Sequence, residues 1–439
     1  MQQLQPWRIN ELTVENFRCF QAFRIAFDPS LTVLVGVNGT GKTAVLDALA
    51  IMLSSVLRPL GGSGRGFTLA DVRAEPRDLT STLEVAGIEP RFPVRGVAAA
   101  TLGGQDVAWE RSRSSAAGRT SWGRNADVTR AVGHLLDDRG SASDETLLPI
   151  VGLYGVERLL GIRRAAGSIS RSRAGAYDST LDGKSDLSRL SAYIKALTLA
   201  DFLAERRGVE ADAARQQLRA ITLASNAVLA DTGWGHPEWS PVVQEITLTS
   251  ETQGTLPLSY LSSGIRIAVG LVLDIVSRAA RANPHVGAER LLDTVPGIVL
   301  IDEVDLHLHP VWQQRILPQL RRTLPCVQFI VTTHSPQVLS TVHADHIRVI
   351  DGDEVRGVDF SAGLRSDIVL EKILSTRAEP PLEINDKLDL YMELVEAGAG
   401  ETHQARSLRA QLDDELGGIA NVPKLADADA SISFYGLDD

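Results

Sequence analysis

Cysteine is nearly absent: the 439-residue chain holds only Cys19 and Cys326. They lie far apart, each in an apolar segment, so buried free thiols in a reducing compartment are expected. Neither a disulfide scaffold nor a cysteine-built metal site is available. No run of about 18 apolar residues occurs, which argues against a membrane span. The opening MQQLQPWRINELTVENF lacks the apolar core of a secretory signal. Both absences point to a cytoplasmic protein. Positive charge is in deficit too. With 44 Lys and Arg against 55 Asp and Glu the net charge is −11, which argues against a generally basic nucleic-acid coat but allows a local basic patch. Long heptad repeats are missing, so no extended coiled coil is expected. What remains is 44% apolar and 23% charged, the composition of a globular protein with a large core or two ordinary domains.

Along the chain, residues 9–35 carry apolar and β-branched residues at spacings near two, broken at Asp28-Pro29, and read as short strands. GVNGTGKT follows at 36–43, and then AVLDALAIMLSSVL places Val45, Leu46, Leu49 and Leu53 at the spacing of an amphipathic helix. Strand character returns at 80–112, in STLEVAGI and VAAATLGG, and LLPIVGLYG at 147–155 reads as a buried strand. Residues 185–231 read as two helices joined near Gly208. Strand residues resume at 242–250, and a helix is expected over about 262–282. GIVLIDEV is a buried strand, WQQRILPQLRRTL a helix and CVQFIVTTH another buried strand. The tail from 366 to 418 reads as helical and acidic. This alternation predicts a layered α/β domain with a largely parallel sheet.

The spacing G-x-x-x-x-G-K-T between a strand and a helix is a phosphate-binding loop. Its glycines let backbone N–H groups turn inward, so that Asn38, Gly39, Thr40 and Gly41 line the phosphates, and the helix N-terminus adds its positive end. Lys42 is placed to neutralise the β- and γ-phosphates and Thr43 to ligate Mg²⁺. The loop alone does not choose among ATPase, GTPase and kinase. The strand GIVLIDE ends in two carboxylates, which are costly to bury without a partner. A magnesium triphosphate supplies one, with Asp302 binding the metal through water and Glu303 orienting and deprotonating the attacking water. A lone histidine at a strand end is more often structural, but the position of His334 after the Asp-Glu pair fits a γ-phosphate sensor. Ser262, Ser263 and Gly264 open a helix and form another anion site, although Ser-Gly before a helix is also commonplace capping.

These elements, in this order, resemble the ATP-binding-cassette superfamily. GVNGTGKT is similar to its Walker A loop, LSSGI to its signature, IVLIDE to its Walker B strand, VDLHLH to its D-loop and His334 to its switch histidine. The VENFRCF opening resembles the RecF and SMC branch, which implies a place near the nucleotide for Arg18. The signature departs from the family at Ser263 and Ile265. Gln105 is the candidate for the family's Q-loop glutamine. The stretch from Ile301 to Ser340, with LPIVGLYGVERL and the tail DIVLEKILSTRAEPP, resembles stand-alone anti-phage ATPases of the Septu and retron type. That likeness implies a homodimer or higher homo-oligomer with composite ATP sites and a separate nuclease effector. The expected parts are two head halves at 1–155 and 241–362, a helical insertion lobe at 156–240 and a helical acidic extension at 363–439.

Other features are open to two readings. Arg158, Arg163, Arg164, Arg171 and Arg173, and likewise Arg111, Arg113, Arg119, Arg124 and Arg130, can contact nucleic-acid phosphates without reading sequence. Solvated loops or a protein-binding surface explain them equally well. His307 and His309 would share a face of a strand, which suggests metal, but their place in the D-loop favours the dimer interface. Asp351, Asp353 and Glu354 suggest two-metal nuclease chemistry, yet Asp-Gly between β-rich flanks is a hairpin signal. The rival functions are a RecF-like repair ATPase acting directly on DNA and a module that uses ATP only to stabilise binding. A transporter subunit fits the VENFRCF opening and the insertion poorly.

Overall fold

The computed structural model describes residues 5–76, 88–123, 125–133, 135, 146–158, 172–183, 187–209, 211–230, 232–377 and 380–435. Strands β1 (Trp7–Phe17) and β2 (Phe20–Ala26) form an antiparallel hairpin, and β3 (Leu31–Val35) leads into helix α1 (Lys42–Leu57). A short ribbon, β4 (Ala74–Pro76) with β5 (Ile88–Pro90), precedes β6 (Val94–Leu102) and β7 (Gln105–Arg113). Helix α2 (Ala126–Gly133) and strand β8 (Ile150–Tyr154) follow. Two helices, α3 (Leu187–Arg207) and α4 (Asp212–Leu229), make the insertion. Beyond them lie β9 (Gly235–Ser240), β10 (Glu245–Ser250) and β11 (Gly254–Pro257), then α5 (Ser263–Ala282) and α6 (Ala288–Thr294). The alternation continues with β12 (Gly297–Ile301), α7 (Pro310–Gln313), α8 (Ile316–Thr323), β13 (Val327–Thr332), α9 (Pro336–Leu339), β14 (Ile347–Asp351) and β15 (Glu354–Arg356).

The central sheet runs β15-β14-β3-β13-β12-β8, parallel except at β15. Its inner strands LTVLV, GIVLI and VQFIVT are buried at every residue, the pattern of parallel strands covered on both faces. Because β3, β12, β13 and β8 are parallel and in register, Val35, Ile301, Thr332 and Tyr154 end on one edge. A second, antiparallel sheet in the order β2-β1-β6-β7 lies across α1. This helix packs on β1 and β6 of one sheet and on β8 and β13 of the other. It is therefore buried nearly all round, not amphipathic as its leucine spacing suggested. Gln328 of β13 ties the sheets together. Its amide Nε2 donates to the carbonyls of Ile9 (2.9 Å) and Asp28 (2.8 Å), and its Oε1 accepts from the Ile9 N–H at 2.8 Å.

Several local expectations change. The segment WQQRILPQLRRTL is two helices, because Pro318 is tolerated only in a first turn and a new helix starts at Ile316. The strand expected from 242 is preceded by β9, hidden by the turn-like residues Gly235, His236 and Pro237. STLEVAGI lies almost wholly outside the described residues. Cys19 is exposed and Cys326 half-buried. Both sit in turns, and it is the neighbours Phe17 and Phe20 that fill the core. Asp351 and Glu354 pair across a hairpin with Gly352 at φ 61°, which accounts for that acidic group.

The chain divides into two compact units, Met1–Val369 and Leu370–Asp439. Helix α10 (Ser366–Lys372) spans the division. In the second unit α11 (Glu383–Glu396), α12 (His403–Leu416) and α13 (Pro423–Tyr435) enclose Leu388, Tyr391, Val395, Ala405, Leu412, Leu425 and Ala428. No helix among the described residues is long and apolar enough to cross a membrane.

Replacing Gln328 by Leu removes a clamp that is only 1% exposed and strands buried backbone groups of Ile9. Destabilisation of about 2–4 kcal/mol is expected. Chemical denaturation of the whole chain measures it, and a change under 1 kcal/mol would show that the sheets hold together without it.

Candidate nucleotide site

The phosphate loop, Asp302, Glu303 and His334 belong to the edge where the parallel strands end, the usual ligand edge of such sheets. The loop after β3 turns through left-handed glycines. Gly41 has φ 101°, and a Cβ there would meet the Phe20 ring at 2.3 Å and Cys19 Sγ at 2.7 Å, so only glycine lets the β1–β2 turn close on the loop. Lys42 Nζ donates to the carbonyls of Gly36 and Val37, both at 2.9 Å. Burial lowers the Lys42 pKa, while Asp302 and Glu303 oppose the shift. Asn38 and Gly39 form the exposed rim of the loop and Thr40 is half-buried, its Oγ1 donating to the Val37 carbonyl at 2.9 Å.

Asp302 joins three elements distant in sequence. Its Oδ2 accepts from Thr43 Oγ1 at 2.9 Å and its Oδ1 from Thr332 Oγ1 at 2.6 Å. The hydroxyl and carboxylate expected to share a hard divalent cation are thus already adjacent, an oxygen donor set that suits Mg²⁺. Glu303 is half-buried with φ 46°. Its N–H donates to Thr332 Oγ1 at 2.7 Å, and its carbonyl accepts from Arg158 at 2.6 Å. His334 follows β13, half-buried. Burial holds its pKa below the ordinary histidine value and Lys42 adds to this, against Asp305, Glu303 and Asp302.

Ser262 caps α5, its Oγ accepting from the Ile265 N–H at 3.4 Å. Ser262 and Ser263 are exposed, while Gly264 lies against the backbone of the D-loop, where a Cβ would stand 2.7 Å from the His307 carbonyl. Arg18 lies beside the loop through its neighbours Cys19 and Phe20. Its guanidinium bridges Asp47 of α1 (2.6 Å) and Asp71 (2.8 Å), and Arg65 also pairs with Asp47 at 2.6 Å.

Three readings are corrected. Gln105 pairs with Leu102 at a hairpin turn whose strand β6 aligns Leu102 with Trp7. That is the far end of β1 from the Phe17–Phe20 turn at the phosphate loop, so Gln105 is not a Q-loop residue. His307 and His309 lie in a turn and at a helix cap, His309 Nδ1 accepting from the Val311 N–H; the shared strand face does not exist. Among the described residues the arginine sets do not form one basic surface. Arg111 and Arg158 are buried. Arg111 donates to the Ile51 and Arg65 carbonyls, Arg113 to those of Phe67, Ser115 and Ala116, and Arg173 to those of Ala282 and Thr146. Arg130 pairs with Asp127 and Arg119 is exposed. Arg124, Arg163, Arg164 and Arg171 fall outside the described residues. Two residues of the site escaped the sequence reading. Thr332 reads as an ordinary strand former, its one signal being a hydroxyl at the last position of an apolar strand. Arg158 reads as one more member of an arginine-rich stretch.

Residues 123–340 match the family model described as "AAA domain, putative AbiEii toxin, Type IV TA system", and residues 11–223 match one described as "AAA domain". The chain is 28% identical over 474 aligned positions to "Retron Ec83 probable ATPase" of Escherichia coli, covering 93% of this chain and 84% of that protein. It is 31% identical over 107 positions to "Septu protein PtuA" of Bacillus thuringiensis, covering 24% and 27% respectively. Among solved structures it is similar to the SMC head bound to the C-winged helix domain of ScpA, at 16% identity and a TM-score of 0.46, covering 80% of this chain and 98% of that one.

A depressed His334 pKa has a definite sign. The unfolded state takes up the proton first as pH falls below about 6.5, so the stability associated with neutral His334 is present above that value and is lost on acidification. An NMR titration of the His334 ring should give a midpoint below 6.5, and a midpoint at or above it would contradict the half-buried, neutral side chain. With its phosphate loop, its Asp302-centred strand edge and its matches to the AAA-domain models, the chain is similar to the defence ATPases of the retron and Septu type.

Proposed function

We propose that this chain binds and hydrolyses ATP as a dimer with composite sites, and that the cycle regulates a separate nuclease effector in anti-phage defence. The observation that carries the ATPase reading is the Thr43–Asp302–Thr332 link, with Glu303 next in the chain and Lys42 across the loop. The defence reading is supported by the likeness to the retron and Septu proteins.

Backbone N–H groups of residues 38–43 bind the triphosphate and Lys42 leaves its carbonyl partners to meet the β- and γ-oxygens. Thr43 and Asp302 would hold Mg²⁺, which when bound neutralises charge on those oxygens. Glu303 accepts a proton from the attacking water. Neutral His334 donates a hydrogen bond to the γ-phosphate. Arg18 stands at the side of the loop for the nucleotide. Ser262, Ser263 and Gly264 present the N-terminus of α5, with exposed hydroxyls, to the γ-phosphate held by a second subunit.

Glu303→Gln should keep ATP affinity and lose turnover by roughly 10²- to 10⁴-fold, the range for removing a general base, whereas Lys42→Ala should lose affinity itself. Wild-type turnover in Glu303→Gln would remove the assigned base. Shared sites are tested by mixing Lys42→Ala with Ser262→Arg protein. Each mixed dimer should regain one intact site, and mixed dimers without activity would count against the composite arrangement. The purified chain should turn over ATP without cutting DNA or RNA. Cleavage that requires Mg²⁺ and disappears in Asp351→Ala would place the nuclease in this chain and not in a separate effector.

A further inference from the structure

We infer that Arg158 is a positioning residue for Glu303, holding the backbone from which the proposed base projects without touching the substrate. This rests on the ATPase reading of the same site.

Arg158 follows β8 in the turn Gly155-Val156-Glu157-Arg158, its own N–H donating to the Gly155 carbonyl at 3.0 Å. Its side chain is 0% exposed. One terminal nitrogen donates to the Asp302 carbonyl and, at 3.2 Å, to that of Gly155. The other donates to the Glu303 carbonyl at 2.6 Å. All these acceptors are main-chain oxygens. Asp302, Asp305 and Glu303 act on it only at longer range, and burial brings its pKa down to about 10, which leaves it cationic at neutral pH. A buried cation served by carbonyls alone is a costly arrangement. For filling space, an apolar side chain of similar length would suffice.

What the charge acts on is specific. Asp302 and Glu303 are adjacent residues, and a planar fork reaches two neighbouring carbonyls where the single ammonium of lysine does not match the geometry. Glu303 has φ 46°, a conformation that non-glycine residues adopt only when their surroundings impose it. Here both faces of the residue are held, its N–H by Thr332 Oγ1 at 2.7 Å and its carbonyl by Arg158. The same carbonyl accepts the Leu306 N–H at 2.9 Å, so Arg158 also braces the start of the D-loop. Loss of the fork would free the peptide to relax and swing the carboxylate off the line of attack.

The test uses full-length Arg158→Gln and, as a milder change, Arg158→Lys. ATP affinity and single-turnover rate are measured for each, together with hydrogen exchange of peptides covering 302–308 and 36–46. For Arg158→Gln, the rate should fall roughly 10- to 100-fold, the scale of a small misplacement of a catalytic group, with affinity unchanged within about threefold; Arg158→Lys should fall between. The same Gln substitution in a Glu303→Gln background should add less than about a twofold loss, because the group it positions is gone. Faster exchange should be confined to 302–308. Equal losses of affinity and rate, multiplicative losses in the double variant, or exchange that rises equally in both peptides would each overturn the inference and leave Arg158 a packing residue. A wild-type chain that binds ATP without turnover would instead sink the ATPase reading, and the exchange comparison would still decide whether Arg158 holds the Glu303 backbone.

Discussion

One carboxylate holds the site together. Asp302 is 4% exposed, and a carboxylate so placed is tolerable only if its oxygens are used. One accepts from the first turn of α1 and the other from the end of β13. It thereby fixes the phosphate loop relative to the strand that precedes His334. The rest of the constellation follows from that placement. Thr332, engaged by Asp302, also takes the Glu303 N–H, and Arg158 closes on the carbonyls of both acids. Removing the Asp302 carboxylate would leave the buried Thr332 hydroxyl and the more exposed Thr43 hydroxyl without their acceptor, so the fold and the chemistry depend on the same atoms.

The constraint reaches outward through α1. Because this helix lies between two sheets, it is buried on nearly every side, Thr43 and Asp47 excepted. Ala44, Ala48, Ala50, Ile51 and Met52 are buried along with the expected leucines. Gln328 fastens the outer sheet to β13, the strand that carries Thr332 at its end. A disturbance of the antiparallel sheet therefore bears on the edge of the candidate site through β13 as well as through α1. Stability and site geometry are coupled here by shared backbone, not by long-range charge.

The parts legible in the sequence were those with a fixed local pattern. The phosphate loop declares itself by glycine spacing, the Asp302–Glu303 pair by carboxylates after five buried residues, and the 351–354 turn by Asp-Gly. What was not legible depended on partners remote in sequence. Arg158 is indistinguishable in composition from its arginine-rich surroundings, and only the approach of β12 to β8 makes it a buried ligand of carbonyls. Gln328 sits in an otherwise apolar strand, where nothing local says that Ile9 will lie opposite. Helical spacing identified α1 but not its second covered face, since alanines and serines do not mark a buried surface by themselves. His307 and His309 failed for the opposite reason: an alternating pattern implied a strand that the turn after β12 does not form.

The insertion raises a mechanical point. Helix α4 packs along α5 and reaches α6, α8 and β9, so it is braced on the head. Leu229 of α4, Ala268 of α5, Leu308 of the D-loop segment, and Trp312 and Ile316 of the following helices line one small apolar cavity. Tyr154, at the end of β8, donates to Asp274 of α5 at 2.8 Å, and Arg278 donates to the same carboxylate at 2.7 Å. The chain segment that carries Arg158 into the insertion thus starts from a strand end anchored to α5. Interiors of this density do not deform continuously; they shift between discrete packings. Any displacement of α4 must therefore be taken up by α5, whose N-terminus is Ser262–Gly264, or by the turn holding Leu308, and Gly264 and His307 are themselves in contact. The lobe and the two loops proposed to face a second subunit therefore share one packed junction.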